Sequence, residues 1–363
     1  MAQALKKYAY DESRAEAFAE KFLETLDRGA LCLMASIGHR TGLFDIMSGM
    51  PPSTARAIAK EAGLNERYVR EWLGAMASAG VVEVDAKGIL YELPAEHAAV
   101  LTRAAGAQNA ALVCQFIAVL GCVEDDIVEC FRRGGGVPYE KYPRFHAVMA
   151  EESGMTVLSS LESHVLPAVP GLTGRLAEGI RVLDVGCGSG RVLNRLAELY
   201  PKSRFIGMDL SEEAIAAARA EASRKRLDNV EFAVRDLSDF DETADRNSFD
   251  FITTFDAIHD QARPLNVLKG IRRALKPDGV YLMQEIRGSS NVRNNVGQPL
   301  STLFYTISTM HCMTVSLAQG GEGLGAMWGE EKAREYLRKA GFRKVEMRRL
   351  EHDIQNNWYI VGK

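Results

Sequence analysis

The stretch VLDVGCGSGRVLNRLAELYP (182–201) constrains the fold more than any other part of this chain. Its first residues read as a buried strand, and the apolar positions after Gly190 repeat at helical spacing. Between them Gly186, Gly188 and Gly190 form a turn. A sharp strand-to-helix turn requires glycine, which accepts positive φ and has no Cβ to meet a ligand lying against the backbone. The spacing is GxGxG. The dinucleotide fingerprint GxGxxG sets its last glycine further on and points a helix N-terminus at a pyrophosphate. Here Asp184 stands two residues ahead of the first glycine. A carboxylate at that point would repel a pyrophosphate and suits a ligand with an ammonium group.

From Arg181 onward short apolar strands alternate with helices, at 181–185, 204–208, 230–234, 249–253 and 280–285. That alternation predicts a parallel sheet covered by helices on both faces. Acidic residues fall at successive strand ends. Asp209, 25 residues beyond Asp184, closes RFIGMD, where a carboxylate accepts both hydroxyls of a ribose. Asp236 and Leu237 follow the third strand in VRDL; Asp236 is placed for the exocyclic amine of an adenine packed on neighbours such as Leu210, or for capping a helix. FDFITTFDAIHD (249–260) brings Phe255 and His259 to the end of the fourth strand, and LKPDGVYLMQE (275–285) supplies a turn and the fifth.

The N-terminal third reads differently. Residues 12–48 form one or two amphipathic helices, with Phe18, Phe22, Leu26, Leu33 and Met34 at helical spacing. Ser53 or Thr54 can cap a helix that Gly63 stops, and Asn65 caps a second whose inward face is Val69, Leu73 and Met76 and which Gly80 ends. Strands at 81–84 and 89–93 then flank the turn Asp85-Ala86-Lys87-Gly88. Helix, turn, helix and hairpin make a winged helix. Residues 95–135 read as helical and apolar, GGGVPYEKYP (134–143) as a break, and 143–169 as one long helix. The expected parts are a helical winged-helix domain (1–135), a linking helix (136–174) and the α/β domain (175–363).

Residues 1–100 carry 11 Lys and Arg against 14 Asp and Glu, and the second helix of the motif offsets Arg67 and Arg70 with Glu66 and Glu71. DNA binding needs a basic footprint, so a transcription regulator with a ligand-sensing second domain is disfavoured. Six cysteines without CxxC spacing indicate reduced thiols and no zinc site. MAQALKKYAYDESRAEAF lacks the apolar core of a secretory signal, and the most apolar stretch (110–123) is too short to span a bilayer. The expectation is a cytoplasmic protein with no membrane or nucleic-acid partner.

With its four acidic or glycine features at successive strand ends, the region from about 175 to 363 resembles the class I S-adenosylmethionine-dependent methyltransferases. The resemblance implies a Rossmann-like α/β domain with a mainly parallel seven-stranded sheet and S-adenosyl-L-methionine as cofactor. It implies Asp184, Gly186, Gly188 and Gly190 at the methionine end, Asp209 at the ribose and Asp236 at the adenine. The winged helix, the linking helix RFHAVMAEES and the His259-Asp260 pair are similar to the small-molecule O-methyltransferases with an N-terminal dimerisation domain, and to a bacterial group of winged-helix methyltransferases. That likeness implies a homodimer, a small-molecule acceptor, and a linking helix whose Tyr142, Phe145 and Met149 cover the cofactor. It also implies His259 as catalytic base, with Asp260 or Glu285 orienting its ring. Gln261 stands where that family has Trp. Cys187 reads as a small filler, His311 as a satisfied buried histidine or a wall of the acceptor pocket, and GGEGLGAMWGEE (320–331) as a flap or an inert surface loop. The motif Asn-Pro-Pro-Tyr of adenine-modifying enzymes is absent after the fourth strand, where TFDAIHD stands.

Overall fold

The computed structural model describes residues 10–363; the first nine residues of the stretch scanned for a secretory signal lie outside the described residues. The chain divides into two compact units, Met1–Ala118 and Val119–Lys363.

In the first unit, helix Glu12–Thr41 starts on Asp11, whose carboxylate accepts the Arg14 N–H at 3.2 Å, and ends at Gly42 with φ 74°. The helices Ala55–Ala62 and Glu66–Ser78 begin at the expected caps: Thr54 Oγ1 accepts from Ala57 N–H at 3.2 Å, and Asn65 Oδ1 from Arg67 N–H at 3.0 Å. Val69, Leu73 and Met76, joined by Trp72, form the buried face and pack with Phe44 and Ile58. The wing is shorter than expected. Its strands are β1 (Ser53–Thr54), β2 (Glu83–Val84) and β3 (Leu90–Glu92), in the order β1-β3-β2. Val81 and Val82 are withheld from the ladder because both amides donate to the Met76 carbonyl and close the preceding helix.

In the second unit the segment expected as one helix is an α-helix only over Phe145–Ser153; wide π turns follow at Gly154–Leu158 and Leu161–Val165. A π turn carries an extra residue, which a 3.6-residue period does not register. The sheet is built from β4 (Arg181–Val185), β5 (Arg204–Asp209), β6 (Val230–Val234), β7 (Phe249–Phe255), β8 (Leu275–Ile286), β9 (Lys344–Arg348) and β10 (Asn356–Gly362). Its order is β6-β5-β4-β7-β8-β10-β9; β4 to β8 run parallel, and β10 is antiparallel to both β8 and β9. Successive side chains point to opposite faces of a strand. Leu183, Ile252, Tyr281 and Tyr359 accordingly enter one core layer, and Val182, Phe251, Leu282 and Trp358 the other. The chain proceeds outward from β4 to β6, then returns to β7 on the other side of β4. The C-terminal ends of β4 and β7 therefore diverge at a topological switch point, where open α/β sheets bind ligands. Among the described residues no helix is long and apolar enough to cross a membrane.

Gly190, at φ 65°, joins the loop to helix Arg191–Leu199, and a Cβ there would run into the Phe232 ring and the Ala218 methyl. Gly190→Ala should therefore lower the unfolding free energy of this unit by about 2 kcal/mol or more, read as a fall in the urea midpoint. An unchanged midpoint would show that the loop relaxes at no cost.

Candidate active site

At the switch point a concavity of about 790 Å³ opens along the C-terminal ends of β4 to β7. Asp184, Gly186 and Gly188 line its floor; Asp209, Leu210, Asp236, Leu237 and Phe255 line it from the following strand ends; Tyr142, Phe145 and Met149 line it from the helix Phe145–Ser153 and its approach. Gly190 and His259 are not on its surface: Gly190 abuts Phe232, and His259 lies behind Asp260 and Gln261.

The amides of Gly186 and Cys187 donate to the Met208 carbonyl at 2.8 and 3.1 Å, which ties the loop to the end of β5. One residue on, Asp209 accepts from Gly188 N–H through Oδ2 at 2.8 Å and from Ser211 N–H through Oδ1 at 2.9 Å. A carboxylate has about four acceptor positions, so roughly two remain for a ligand. Asp236 is exposed and accepts from Ser238 N–H at 2.8 Å, which fixes a turn and leaves the carboxylate at the rim of the concavity. Asp184 is buried, with Thr253 Oγ1 donating to it at 2.8 Å; burial pushes its carboxyl up to about 7. A buried acid so placed gains from a positive partner. The Cys187 thiol is held well above its usual range, by burial first and then by Asp184 and Asp209, so it is no thiolate nucleophile. The covering helix is tethered by Arg191, whose guanidinium donates to the Ala150 carbonyl at 2.6 Å beside Gly154.

His259 is buried between two carboxylates. Its Nδ1 donates to Glu285, and its Nε2 faces Asp260 Oδ1 at 3.2 Å. Burial alone would depress the imidazole, but the charges of Glu285 and Asp260 override it and hold the ring well above the usual histidine range. Glu285 also accepts from Ile258 N–H and from the Trp328 indole N–H, each at 3.1 Å. Both residues expected as ring orienters are thus present, one on each nitrogen. Asp260 and Cys312 bring metal-ligand atoms within 4.8 Å of those of His259, and so do Asp256 and Glu285. In both sets the ring nitrogens already face carboxylates.

His311 is not a satisfied buried histidine. Among the described residues neither ring nitrogen has a hydrogen-bond partner, Nδ1 lies 4.0 Å from Asp260 Oδ2, and the ring stacks on Phe145 at 3.5 Å between centroids. It sits in a π turn, Ser308–Cys312, with Tyr142 donating to the neighbouring Met310 carbonyl at 2.5 Å. Three contributors escape sequence reasoning. Asp256 lines the concavity at φ 49°, a conformation its identity alone does not announce. Thr253 is one more β-branched strand residue until paired with Asp184. Trp328 lies in the glycine-rich 320–331 segment, which is neither flap nor inert loop at that point: Ala326, Met327 and Trp328 are buried.

Residues 29–103 match the family model described as an Rv2258c-like winged HTH domain, and residues 176–341 the model described as a methyltransferase domain. The chain thus carries a winged HTH domain followed in sequence by a methyltransferase domain. Among individual relatives, trans-aconitate 2-methyltransferase of Acidovorax sp. (strain JS42) is 28% identical over 170 residues, 46% of this chain and 60% of that one. The human N-acetylserotonin methyltransferase, solved in complex with SAM, is similar in fold at 16% identity (TM-score 0.68, covering 100% of this chain and 99% of that one). So is an O-methyltransferase family protein from Burkholderia thailandensis at 17% identity (TM-score 0.68, 95% and 98%). The chain spans 52–60% of the length of the first curated relatives it matches.

The site implies a pH dependence of stability. Asp184 and Glu152 are both raised to about 7, by burial first, from the ordinary carboxylate values of 3.8 and 4.5. Between those limits the folded unit holds more protons than the unfolded chain, so its stability falls as pH rises from about 4 to 7 and then levels. The urea midpoint of the ligand-free protein should decline across that window, with a shallower decline in Asp184→Asn. A midpoint that climbs with pH there would contradict the burial of these acids.

Proposed function

We propose that this chain is an S-adenosylmethionine-dependent methyltransferase acting on a small-molecule acceptor, with an oxygen acceptor favoured over nitrogen or sulfur. The observation that carries the reading is the Asp209 carboxylate, pinned by two backbone amides at the mouth of a loop floored by buried Asp184. Asp209 would receive the paired ribose hydroxyls, Asp184 the ammonium group, and Asp236 the adenine amine, while Tyr142, Phe145 and Met149 cover the ligand. When bound, S-adenosylmethionine supplies a methyl group on a positively charged sulfur. The chain's own part is to hold the acceptor in line with that methyl and to receive the acceptor's proton. His259 is the proposed proton acceptor, with Glu285 fixing the ring through Nδ1 and stabilising the imidazolium that forms. For this, the acceptor hydroxyl takes the place of Asp260 at Nε2.

Calorimetry should show S-adenosylhomocysteine binding without an acceptor, weakened roughly tenfold or more in Asp209→Ala by loss of charge-assisted hydrogen bonds. Binding of NADH with no response to the S-adenosyl ligand would overturn the assignment. His259→Ala should lower kcat for an alcohol or phenol acceptor by roughly a hundredfold, with cofactor affinity kept. Because the imidazole is held above its usual range, kcat/KM should climb as pH rises through and beyond neutrality, and Asp260→Asn should move that limb to lower pH. A limb that stays in place in Asp260→Asn would remove Asp260 from the imidazole's environment.

We also propose a homodimer. Phe18, Phe22, Leu26, Leu33 and Ile37 run in one stripe along helix Glu12–Thr41, each 45–64% exposed, over about 28 Å. An apolar stripe that long on one helix marks an interface, and a twofold axis pairs it with itself. Light scattering should give the mass of two chains, and Phe22→Glu with Leu26→Glu should give one. A single-chain mass for the unaltered protein at micromolar concentration would refute it.

A further inference from the structure

The opposite edge of the sheet, where β7 and β8 begin, holds a second concavity, of about 710 Å³. Six cations line it: Arg246, Lys269, Arg272, Arg273, Arg343 and Lys363; Asp241 is the single acidic side chain in its lining among the described residues. Elsewhere on this unit basic side chains are commonly paired, as Lys276 and Arg175 are with Asp250, Arg195 with Glu162, and Lys225 with Glu198 and Glu221. Here two of the six are taken up by the protein. Arg273 Nε donates to the Ala244 carbonyl at 2.7 Å, and Lys363 Nζ to Asn247 Oδ1 and the Leu275 carbonyl at 2.7 and 2.6 Å. The side chains of Arg246, Lys269, Arg272 and Arg343 make no ion pair and no hydrogen bond among the described residues.

Arg272 is the informative member. Its Nε is buried with no acceptor, an arrangement that costs free energy unless a partner arrives. The guanidinium end lies close against Gly341, whose φ is 96°: a Cβ there would come within 3.1 Å of that nitrogen. The cations also sense one another. Lys363 is kept below the usual lysine range by burial first and then by Arg272 and Arg246. Part of this charge has a local reason, since Arg272 and Arg273 occupy the last turn of helix Pro264–Ala274, where cations balance the helix's negative end. That reason does not extend to Lys269, a turn earlier, or to Arg246 and Arg343, which arrive on separate loops.

We infer that this concavity binds a small, multiply charged phosphate anion, a pyrophosphate or a compact phosphate ester. Its volume lies in the range of small-molecule sites. Arginine forks match phosphate oxygens two at a time, and Arg246, Arg272 and Arg343 are three such forks without a partner. Among the described residues no aromatic side chain lines the concavity, so a nucleobase has no stacking surface there and the phosphate groups are what is recognised. β7 carries seven residues from Phe249 at this edge to Phe255 at the methyl-transfer cleft, about 20 Å, so an anion here does not contact that cleft. The assignment stands independently of the methyltransferase reading.

The test is calorimetric titration of the whole chain with inorganic pyrophosphate, against sodium sulfate at matched ionic strength. The expected result is saturable one-to-one binding of pyrophosphate that sulfate does not match. Arg272→Ala with Arg343→Ala should weaken it roughly tenfold or more, with thermal midpoint and S-adenosylhomocysteine affinity kept. Should that double variant fail to fold, exposed Lys269→Gln is the substitute and should also weaken pyrophosphate. Heats no larger than those of sulfate would overturn the assignment, as would equal pyrophosphate affinity in a folded variant. Loss of S-adenosylhomocysteine binding in the unaltered chain would bear on the methyltransferase reading alone.

Discussion

One hydrogen bond organises the half of the site built on the glycine turn: the Gly188 amide donating to Asp209 at 2.8 Å. It crosses between adjacent strand ends, joining the turn after β4 to the last residue of β5. A side chain at Gly186 would collide with Ala257, and one at Gly190 with Phe232, so the turn can approach both β6 and the segment after β7 only while these positions remain bare. The strand-end acids then converge because parallel strands place their C-terminal ends on one edge. Nothing but chain order and a single reversal of direction is needed to gather them.

Glu285 does for the other half what Asp209 does for the first. Its two oxygens receive the Ile258 amide, the His259 ring and the Trp328 indole, which come from two distant parts of the chain. A buried carboxylate is costly unless it accepts hydrogen bonds, and here three donors supply them. The imidazole is thereby fixed in one orientation with Nε2 toward Asp260, and the anion gives that ring a reason to hold a proton.

The glycine turn and its strand-end acids were legible in the sequence because their signals are local. A strand, a glycine turn and an acid at a strand end are each read within a few residues, and Asp184, Asp209 and Asp236 all surround one concavity. The winged helix was legible for the same reason, through Thr54, Gly63 and Asn65. What escaped depends on geometry that identity does not encode. The two-residue strand at Ser53 is too short for any period, and the π turns at 154–165 and 308–312 break the period that defines a helix. Trp328 was hidden among glycines that read as a loop, although Gly329 is there so that the backbone can close on Ser289 and Ser290. The sequence leaves His311 open between a satisfied buried histidine and a wall of the acceptor pocket; its unpartnered nitrogens emerge only from the packing of Tyr142 and Phe145 around it.

The way the two halves are wired has an evolutionary side. The glycines and acids that line the concavity come from β4 through β7, whereas His311, Cys312 and Trp328 all come from the single excursion between β8 and β9. That excursion leaves and re-enters the sheet at its antiparallel margin, two or more strands away from β4 and β5. Drift within it can reshape what meets His259 without touching the glycine turn or its carboxylate clamp. A lineage built this way can remodel the surroundings of His259 by editing one contiguous stretch of gene, keeping the glycine turn and its carboxylate clamp under separate selection.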